Sequence, residues 1–138
     1  MTTYNQVHKT TFDHYYTEAY RVNSLMRASC TAPADIYNYQ GKCYLSHDKN
    51  SGYMIKDDGD LVLVFSMVKG RGDAIVRHAV KNGAIKLDCF DGYLVDLYSG
   101  HGFVVHKREP NWTDGEPDVV YMYHVDNVVN ACLKSMYY

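Results

Sequence analysis

The segment "DLVLVFSMVKGRGDAIVRHAV", residues 60–80, restricts the fold more than any other part of the chain. Its opening, "DLVLVFSMV", is a continuous apolar run without alternation, the pattern of a strand buried on both faces. Lys69-Gly70-Arg71-Gly72 then turns the chain. Beyond the turn, Ile75, Val76, Ala79 and Val80 recur at the i, i+1, i+4, i+5 spacing of one helix face, while Arg77, His78, Lys81 and Asn82 face solvent. Asn82-Gly83 supplies the stop, because glycine takes the left-handed conformation that ends a helix. "AIKLDCF" reads as a second buried strand. Strand, helix and strand in succession make a crossover at the centre of the chain.

Around this crossover the pattern is mixed. "DHYYTEAYRVNSLMRA" is expected as one helix with Tyr15, Ala19, Val22, Leu25 and Met26 on its apolar face. Pro33 and Gly41 bound a polar, tyrosine-rich loop, "TAPADIYNYQG". "KCYLSH" and "SGYMIKDDG" are strands, the second ending in the hairpin signal Asp58-Gly59. "DGYLVDLYSGHG" is a short helix with Leu94, Leu97 and Tyr98 on one side. "FVVHKRE" and "DVVYMYHV" are two further strands joined by the loop "PNWTDGEP", and "DNVVNACLKSMYY" is a terminal helix. The expected class is α/β or α+β, antiparallel early and crossing over in the middle. No repeat and no low-complexity linker divides it, so residues 1–138 are expected as a single domain long enough to bury a real core.

Charge and cysteine usage limit the function classes. A formal net charge of -2 and no Lys/Arg run give no reason to expect nucleic acid as a partner. Cys30, Cys43, Cys89 and Cys132 form no C-x-x-C pair, and Cys43 and Cys89 sit in apolar runs as reduced, buried thiols. No apolar leader and no membrane-length run is visible, so a cytoplasmic protein without a membrane partner is expected. His47, His78, His101, His106 and His124 are scattered without ligand spacing, and no metal site is expected.

The turn at residues 69–72 admits two readings. Gly70 and Gly72 just ahead of a helix let a backbone rich in unpaired N–H groups approach an anion, with Lys69 and Arg71 adding charge. They also serve as an ordinary strand-to-helix turn. Neither the Walker spacing nor the dinucleotide fingerprint is present, and Arg71-Gly72-Asp73 merely opens the helix.

A helix, the strand "IKLDCF" and a short helix carrying "LYSGHGF" follow this turn, and the arrangement resembles the GNAT superfamily of acyl-CoA-dependent N-acetyltransferases. In that family a strand leads into [QR]-x-x-G-x-[GA] at a helix opening, a second strand follows, and a short helix ends in L-Y-x-x-x-G-F. Met67-Val68-Lys69-Gly70-Arg71-Gly72 occupies the first pattern, and Leu97-Tyr98-Ser99-Gly100-His101-Gly102-Phe103 matches the second. Met67 departs from it, standing where the family usually has Gln or Arg. The likeness spans residues 52–105, and "KLDCFDGYLVDLYSGHGF" with "PDVVYM" is most similar to a small phage-type branch, whose members would work in the host cytoplasm.

The resemblance implies a mostly antiparallel mixed sheet flanked by helices, with two central strands splayed around acetyl-CoA as co-substrate. Pantetheine would run along Phe65, Ser66 and Met67, whose backbone can pair with its amides as an added strand. The pyrophosphate would sit on N–H groups from Val68, Lys69, Gly70, Arg71, Gly72 and Asp73. Tyr98 is the expected acid for the departing thiolate, against a plain packing role for one of fourteen tyrosines. Asp88 is the expected catalytic carboxylate, the alternative being a hydrogen bond at the core edge; Asp91 is expected to cap the next helix. His101 is near enough to shuttle a proton, His106 and His124 would line the acceptor side, and Cys89 is expected as a structural thiol. "DIYNYQGKCYL" and Trp112 would border the acceptor, with Trp112 otherwise plugging the sheet end.

Two functions follow. One is an N-acetyltransferase acting on a primary amine of a small molecule or a protein, with a homodimer allowed. The other is an inactive GNAT-fold binding or inhibitory protein, phage-encoded and directed at a host protein. Gly70, Gly72 and Tyr98 favour the first; Met67 and the lack of a carboxylate within "LVLVFSM" favour the second.

Overall fold

The Asp58-Gly59 hairpin is the fixed point of the architecture. Gly59 has φ +88° and donates its N–H to the Lys56 carbonyl at 2.8 Å, so the chain reverses where the sequence signals it. A computed structural model describes residues 2–137. The strands are β1 (Tyr4–Val7), β2 (Gly41–Ser46), β3 (Ser51–Lys56), β4 (Leu61–Ser66), β5 (Lys86–Phe90), β6 (Phe103–Glu109) and β7 (Val119–His124). The helices are α1 (Lys9–Val22), α2 (Ser24–Ser29), α3 (Gly72–Lys81), α4 (Tyr93–Ser99) and α5 (Val125–Tyr137). The expected terminal helix is thus present; its last residue, Tyr138, lies outside the described residues.

Two antiparallel sheets result, β1-β2-β3-β4 and β5-β7-β6. They meet where Asp60, just before β4, bridges Lys86 at the start of β5 in parallel fashion. From that point the two strands diverge, and α3 carries the chain from one to the other. The fold is therefore the expected mixed, mostly antiparallel sheet with a central crossover and splayed strands.

Each face of the first sheet is covered. Tyr44, Tyr53, Ile55 and Leu61 pack with Ile75, Val76 and Ala79 of α3 and with Leu87, Tyr98, Phe103, Val120 and Met122. On the opposite face Cys43, Leu45, Met54, Leu63 and Phe65 pack with Phe12, Tyr16 and Ala19 of α1, Met26 of α2 and Ile36.

Three expectations need correction. The single helix over 13–28 is two, because the Asn23 side chain accepts hydrogen bonds from the Leu25 and Met26 N–H groups at 3.0 and 3.3 Å and caps a fresh helix. The break rotates the apolar face onto Phe12, Tyr16, Ala19 and Met26, leaving Val22 and Leu25 exposed at 56% and 76%. The polar loop after Pro33 contains a 3₁₀ turn, Pro33–Asn38, whose Ile36 is fully buried. β1, not anticipated, pairs with β2 from Tyr4↔Ser46 to Val7↔Cys43.

β4 is also not a uniform ladder. Met54 pairs with Val62 and Gly52 with Phe65, so the register slips between them, and Leu63 sits at φ +56°. A leucine in the left-handed region costs about 1 kcal/mol. The slip puts Val62 and Leu63 on the same α1-facing side, whereas Leu61 and Val64 face α3. This is a β-bulge that re-aims the strand, in the stretch of β4 that faces the splay.

Candidate functional site

The splay between β4 and β5 encloses a cavity of about 480 Å³. Its walls come from Asp60 to Val64 of the β4 side and from Asp88, Cys89 and Phe90 of β5. Leu94 and Tyr98 of α4 also line it, together with Tyr16, Cys30, Thr31, Tyr39 and Trp112. A second cavity of about 190 Å³ lies against β5, β6 and β7 and shares Asp60 and Asp88 with the first.

Tyr98 is 5% exposed, and its ring meets Phe103 edge-on with centroids 5.8 Å apart. Its hydroxyl makes no hydrogen bond among the described residues. No fully buried side-chain N or O there lacks a partner, so this hydroxyl opens into the cavity. Burial, reinforced by Cys89, holds its pKa above the ordinary 10. The Cys89 thiol, which lines the same cavity from β5, is pushed up to about 11, first by burial and then by Asp88. Desolvation there raises phenol and thiol together.

Asp88 lines both cavities from an exposed position. The carboxylate that sequence reasoning passed over is Asp60. It is half-buried, and its pKa is raised to about 6, chiefly by desolvation and then by Asp88. Lys56 Nζ stands 3.7 Å away and opposes the shift. The signal was an acid at the mouth of the best core strand, one residue beyond the hairpin glycine.

The predicted anion loop lies outside this cavity, one helix face away. Ser66 Oγ accepts the Val68 N–H at 3.1 Å and donates to the Val68 carbonyl at 2.6 Å, tightening the exit from β4. The Met67 N–H donates to Asn50 O at 2.8 Å, so it is already paired toward β3. Alternation along the strand then turns Ser66 toward the open edge. Phe65 is buried against Phe12 and Tyr16 and can offer only backbone. The N–H groups of Lys69, Gly70, Gly72, Asp73 and Ala74 have no protein partner among the described residues. Gly70 is left-handed at φ +82° with open space where a Cβ would stand, whereas a Cβ on Gly72 would come 3.0 Å from Leu97 of α4.

Several side chains do something other than expected. The Arg71 guanidinium turns back to Asp48, at 2.5 and 2.9 Å, and to Ser51 Oγ at 3.1 Å, leaving its backbone at the loop. That contact holds the Asp48 carboxyl well below the usual range. Asp91 does not cap α4: Gly92 occupies the cap position without a side-chain bond, and Asp91 pairs with Arg108 at 2.9 Å. His101 Nε2 pairs with Asp73 Oδ1 at 2.8 Å, tying the α4–β6 turn to the start of α3. His78 is not simply solvated; it hydrogen-bonds Tyr53 and packs among Tyr4, Tyr44 and Tyr53. His106 lines the smaller cavity beside Tyr123, and His124 is buried against Phe103. Trp112 plugs nothing: it is 82% exposed on the cavity rim. Cys43 is buried as expected, and Cys89 is half-buried. Among the described residues no His, Cys, Asp or Glu cluster could hold a metal ion, and no helix is long and apolar enough to cross a membrane.

No protein-family model matches the sequence, and no curated protein does. Solved structures do. The ribosomal-protein-S18-alanine N-acetyltransferase from Escherichia coli matches with a TM-score of 0.58 at 16% identity, covering 88% of this chain and 92% of that one. The chain has the GNAT fold. The NatC complex bound to Gag peptide and CoA matches the GNAT fold of this chain with a TM-score of 0.58, 16% identity and coverage of 88% and 96%. A spermidine N-acetyltransferase SpeG chimera from Vibrio cholerae and hSSAT matches with a TM-score of 0.57, 14% identity and coverage of 92% and 98%. At these identities the likeness is one of fold.

Proposed function

We propose that the protein is an acyl-CoA-dependent N-acetyltransferase that takes an acetyl group from acetyl-CoA to a primary amine. The observation that carries this reading is the Tyr98 hydroxyl, unpartnered and opening into the cavity at the splay. Acetyl-CoA enters with its pyrophosphate on the free N–H groups from Lys69 to Ala74 and its pantetheine along the Ser66 edge of β4. The amine comes from the side of Trp112 and Tyr39.

Asp60 takes a proton from the incoming ammonium, since a carboxyl near 6 is a far better base than an ordinary aspartate. Asp88, beside it, orients the cation. The freed nitrogen attacks the thioester carbonyl carbon, the C–S bond breaks, and Tyr98 gives its proton to the sulfur. The extra proton on the new amide nitrogen then restores Tyr98. Delivery from phenol to thiolate is feasible because burial that raises the phenol also raises a thiol lining the same cavity, as at Cys89.

The neighbours in fold are named for acceptors as different as a ribosomal-protein alanine and spermidine, so the acceptor is a property of the cavity and not of the fold. The narrower likeness to phage-type proteins rests on "KLDCFDGYLVDLYSGHGF" with "PDVVYM". A non-catalytic binding protein is the second reading. Met67 favours it, holding a half-exposed thioether against Asn23 where a polar side chain would face the cofactor.

Thermal denaturation with acetyl-CoA decides between them. At a hundredfold over its dissociation constant the ligand should stabilise the fold by roughly 2.7 kcal/mol. For a domain of this size that is a rise in Tm of roughly 10 °C. No rise at millimolar acetyl-CoA would remove the transferase reading and leave the binding protein.

A further inference from the structure

The larger cavity contains an amine of the protein's own. Lys56 lines it together with Asp60, Asp88 and Tyr98, and among the described residues no other lysine does. The hairpin fixes the root of this side chain. The Lys56 N–H donates to the Asp60 carbonyl at 2.9 Å, and the Lys56 carbonyl accepts the Gly59 N–H at 2.8 Å. Nζ stands 3.7 Å from the Asp60 carboxylate and lies over the Tyr39 ring, 5.0 Å from its centroid.

The ammonium is held there without being locked. A separation of 3.7 Å is longer than a hydrogen bond, and the side chain keeps 29% exposure. A partly exposed ion pair and a single ring face are both weak holds. The flexible four-carbon stem lets Nζ leave them for the interior of the cavity, into which the Tyr98 hydroxyl opens. An amine, a carboxylate that can take its proton and a phenol that can protonate a thiolate thus share one enclosure.

We propose that Lys56 is a self-acetylation site, modified in cis by the cavity it lines when acetyl-CoA is bound and no external amine is present. This rests on the transferase reading and adds a modification site to it. The Lys56 ammonium gives a proton to Asp60, and the neutral nitrogen attacks the thioester carbonyl carbon. The C–N bond forms, the C–S bond breaks, and the sulfur leaves as CoA thiol with the Tyr98 proton. The surplus proton on the new amide nitrogen returns to Tyr98. The acetyl group has then passed from a thioester to a more stable amide, and Asp60 has lost the cation that opposes its desolvation.

Isotope-labelled acetyl-CoA, incubated with the full chain and followed by digestion and mass spectrometry, tests it. Uncatalysed acetylation favours exposed amines such as Lys42 and Lys81, whereas Lys56 is mostly covered. Lys56 should nonetheless take up label at least about tenfold faster than either, at a rate independent of chain concentration. That comparison lies within the parent chain and needs no variant. Tyr98→Phe should slow labelling of Lys56 about a hundredfold and leave Lys42 and Lys81 unchanged. Labelling of Lys56 no faster than of the exposed lysines, undiminished in Tyr98→Phe, or proportional to chain concentration overturns the proposal. The acetyl-CoA thermal shift separates the two failures: a shift without Lys56 labelling removes this site alone, and no shift removes the transferase reading with it.

Discussion

Replacing Asp60 by Asn should make the protein more stable and less active, and the stability gain should depend on pH. Asp60 titrates near 6 in the folded chain against an ordinary 3.8, a displacement of about two units, or about 3 kcal/mol as a ceiling. Its side chain keeps 19% exposure and stands 3.7 Å from Lys56, so solvent screening reduces this to about 1–2 kcal/mol. The surrounding charges set the sign: Asp88 and Asp58 raise the carboxyl, Lys56 and Lys86 lower it, and desolvation exceeds them all. Because the folded value lies above the unfolded one, the stabilising contribution is complete below pH 3.8 and is lost as pH rises through about 6. Asparagine cannot ionise. The variant should therefore match the parent near pH 4 and exceed it by about 1–2 kcal/mol at pH 7, a rise in Tm of about 3–6 °C. Thermal and urea unfolding followed by circular dichroism from pH 4 to pH 8 measures it. A gap that stays constant over that range, or a variant weaker at pH 7, would refute the placement of a desolvated, ionising Asp60. Acetyl transfer by the same variant should fall by about a hundredfold at pH 7. Greater stability with less activity is the mark of a residue held in an unfavourable environment for function.

The remaining predictions address the other parts of the site. Tyr98→Phe keeps the ring packed on Phe103 and removes only the hydroxyl, so turnover should fall by about a hundredfold while the acetyl-CoA thermal shift is unchanged; equal losses in both would make Tyr98 a packing residue. Gly70→Ala has open space but a backbone at φ +82°, and should lower stability by about 1 kcal/mol through conformation alone; an unchanged Tm would argue against the left-handed turn. At pH 7 a maleimide should label exposed Cys132 well before Cys89, whose thiol is pushed up to about 11; equal rates would place Cys89 in solvent.

The parts of the fold readable from sequence are those set by neighbours a few residues away. The stripe Ile75, Val76, Ala79 lies on α3 as its spacing requires, and Asp58-Gly59 turns where it should. What sequence could not supply came from distant partners. "YNQV" has no strand pattern of its own and becomes β1 only because β2 offers an edge. Asn23 within a helical pattern is equally a solvated side chain or a cap, and the fold at Met26 and Phe12 decides it. His78 falls on the polar side of α3 by periodicity, yet Tyr4, Tyr44 and Tyr53 from three strands surround it. Asp60 was visible as an acid, but its desolvation depends on β5 arriving beside it after the crossover.

The run "LYSGHGF" was readable for a reason the geometry supplies residue by residue. Adjacent helix positions point about 100° apart, so consecutive residues of α4 can serve two sides of a wall. Leu97 reaches the anion loop, where its Cδ2 stands 3.0 Å from the place a Cβ on Gly72 would occupy. Tyr98 faces the cavity instead. Gly102, at φ +94°, turns the chain so closely over His124 that a Cβ would lie 2.8 Å from Nε2. That turn delivers Phe103 against the Tyr98 ring, edge-on with the centroids 5.8 Å apart. His101 adds the link to Asp73 at the start of α3. One short helix and its turn thus hold the glycine-rich loop before α3 and the candidate acid in a fixed relation, which makes that spacing a stronger guide than the Gly70-x-Gly72 pair alone.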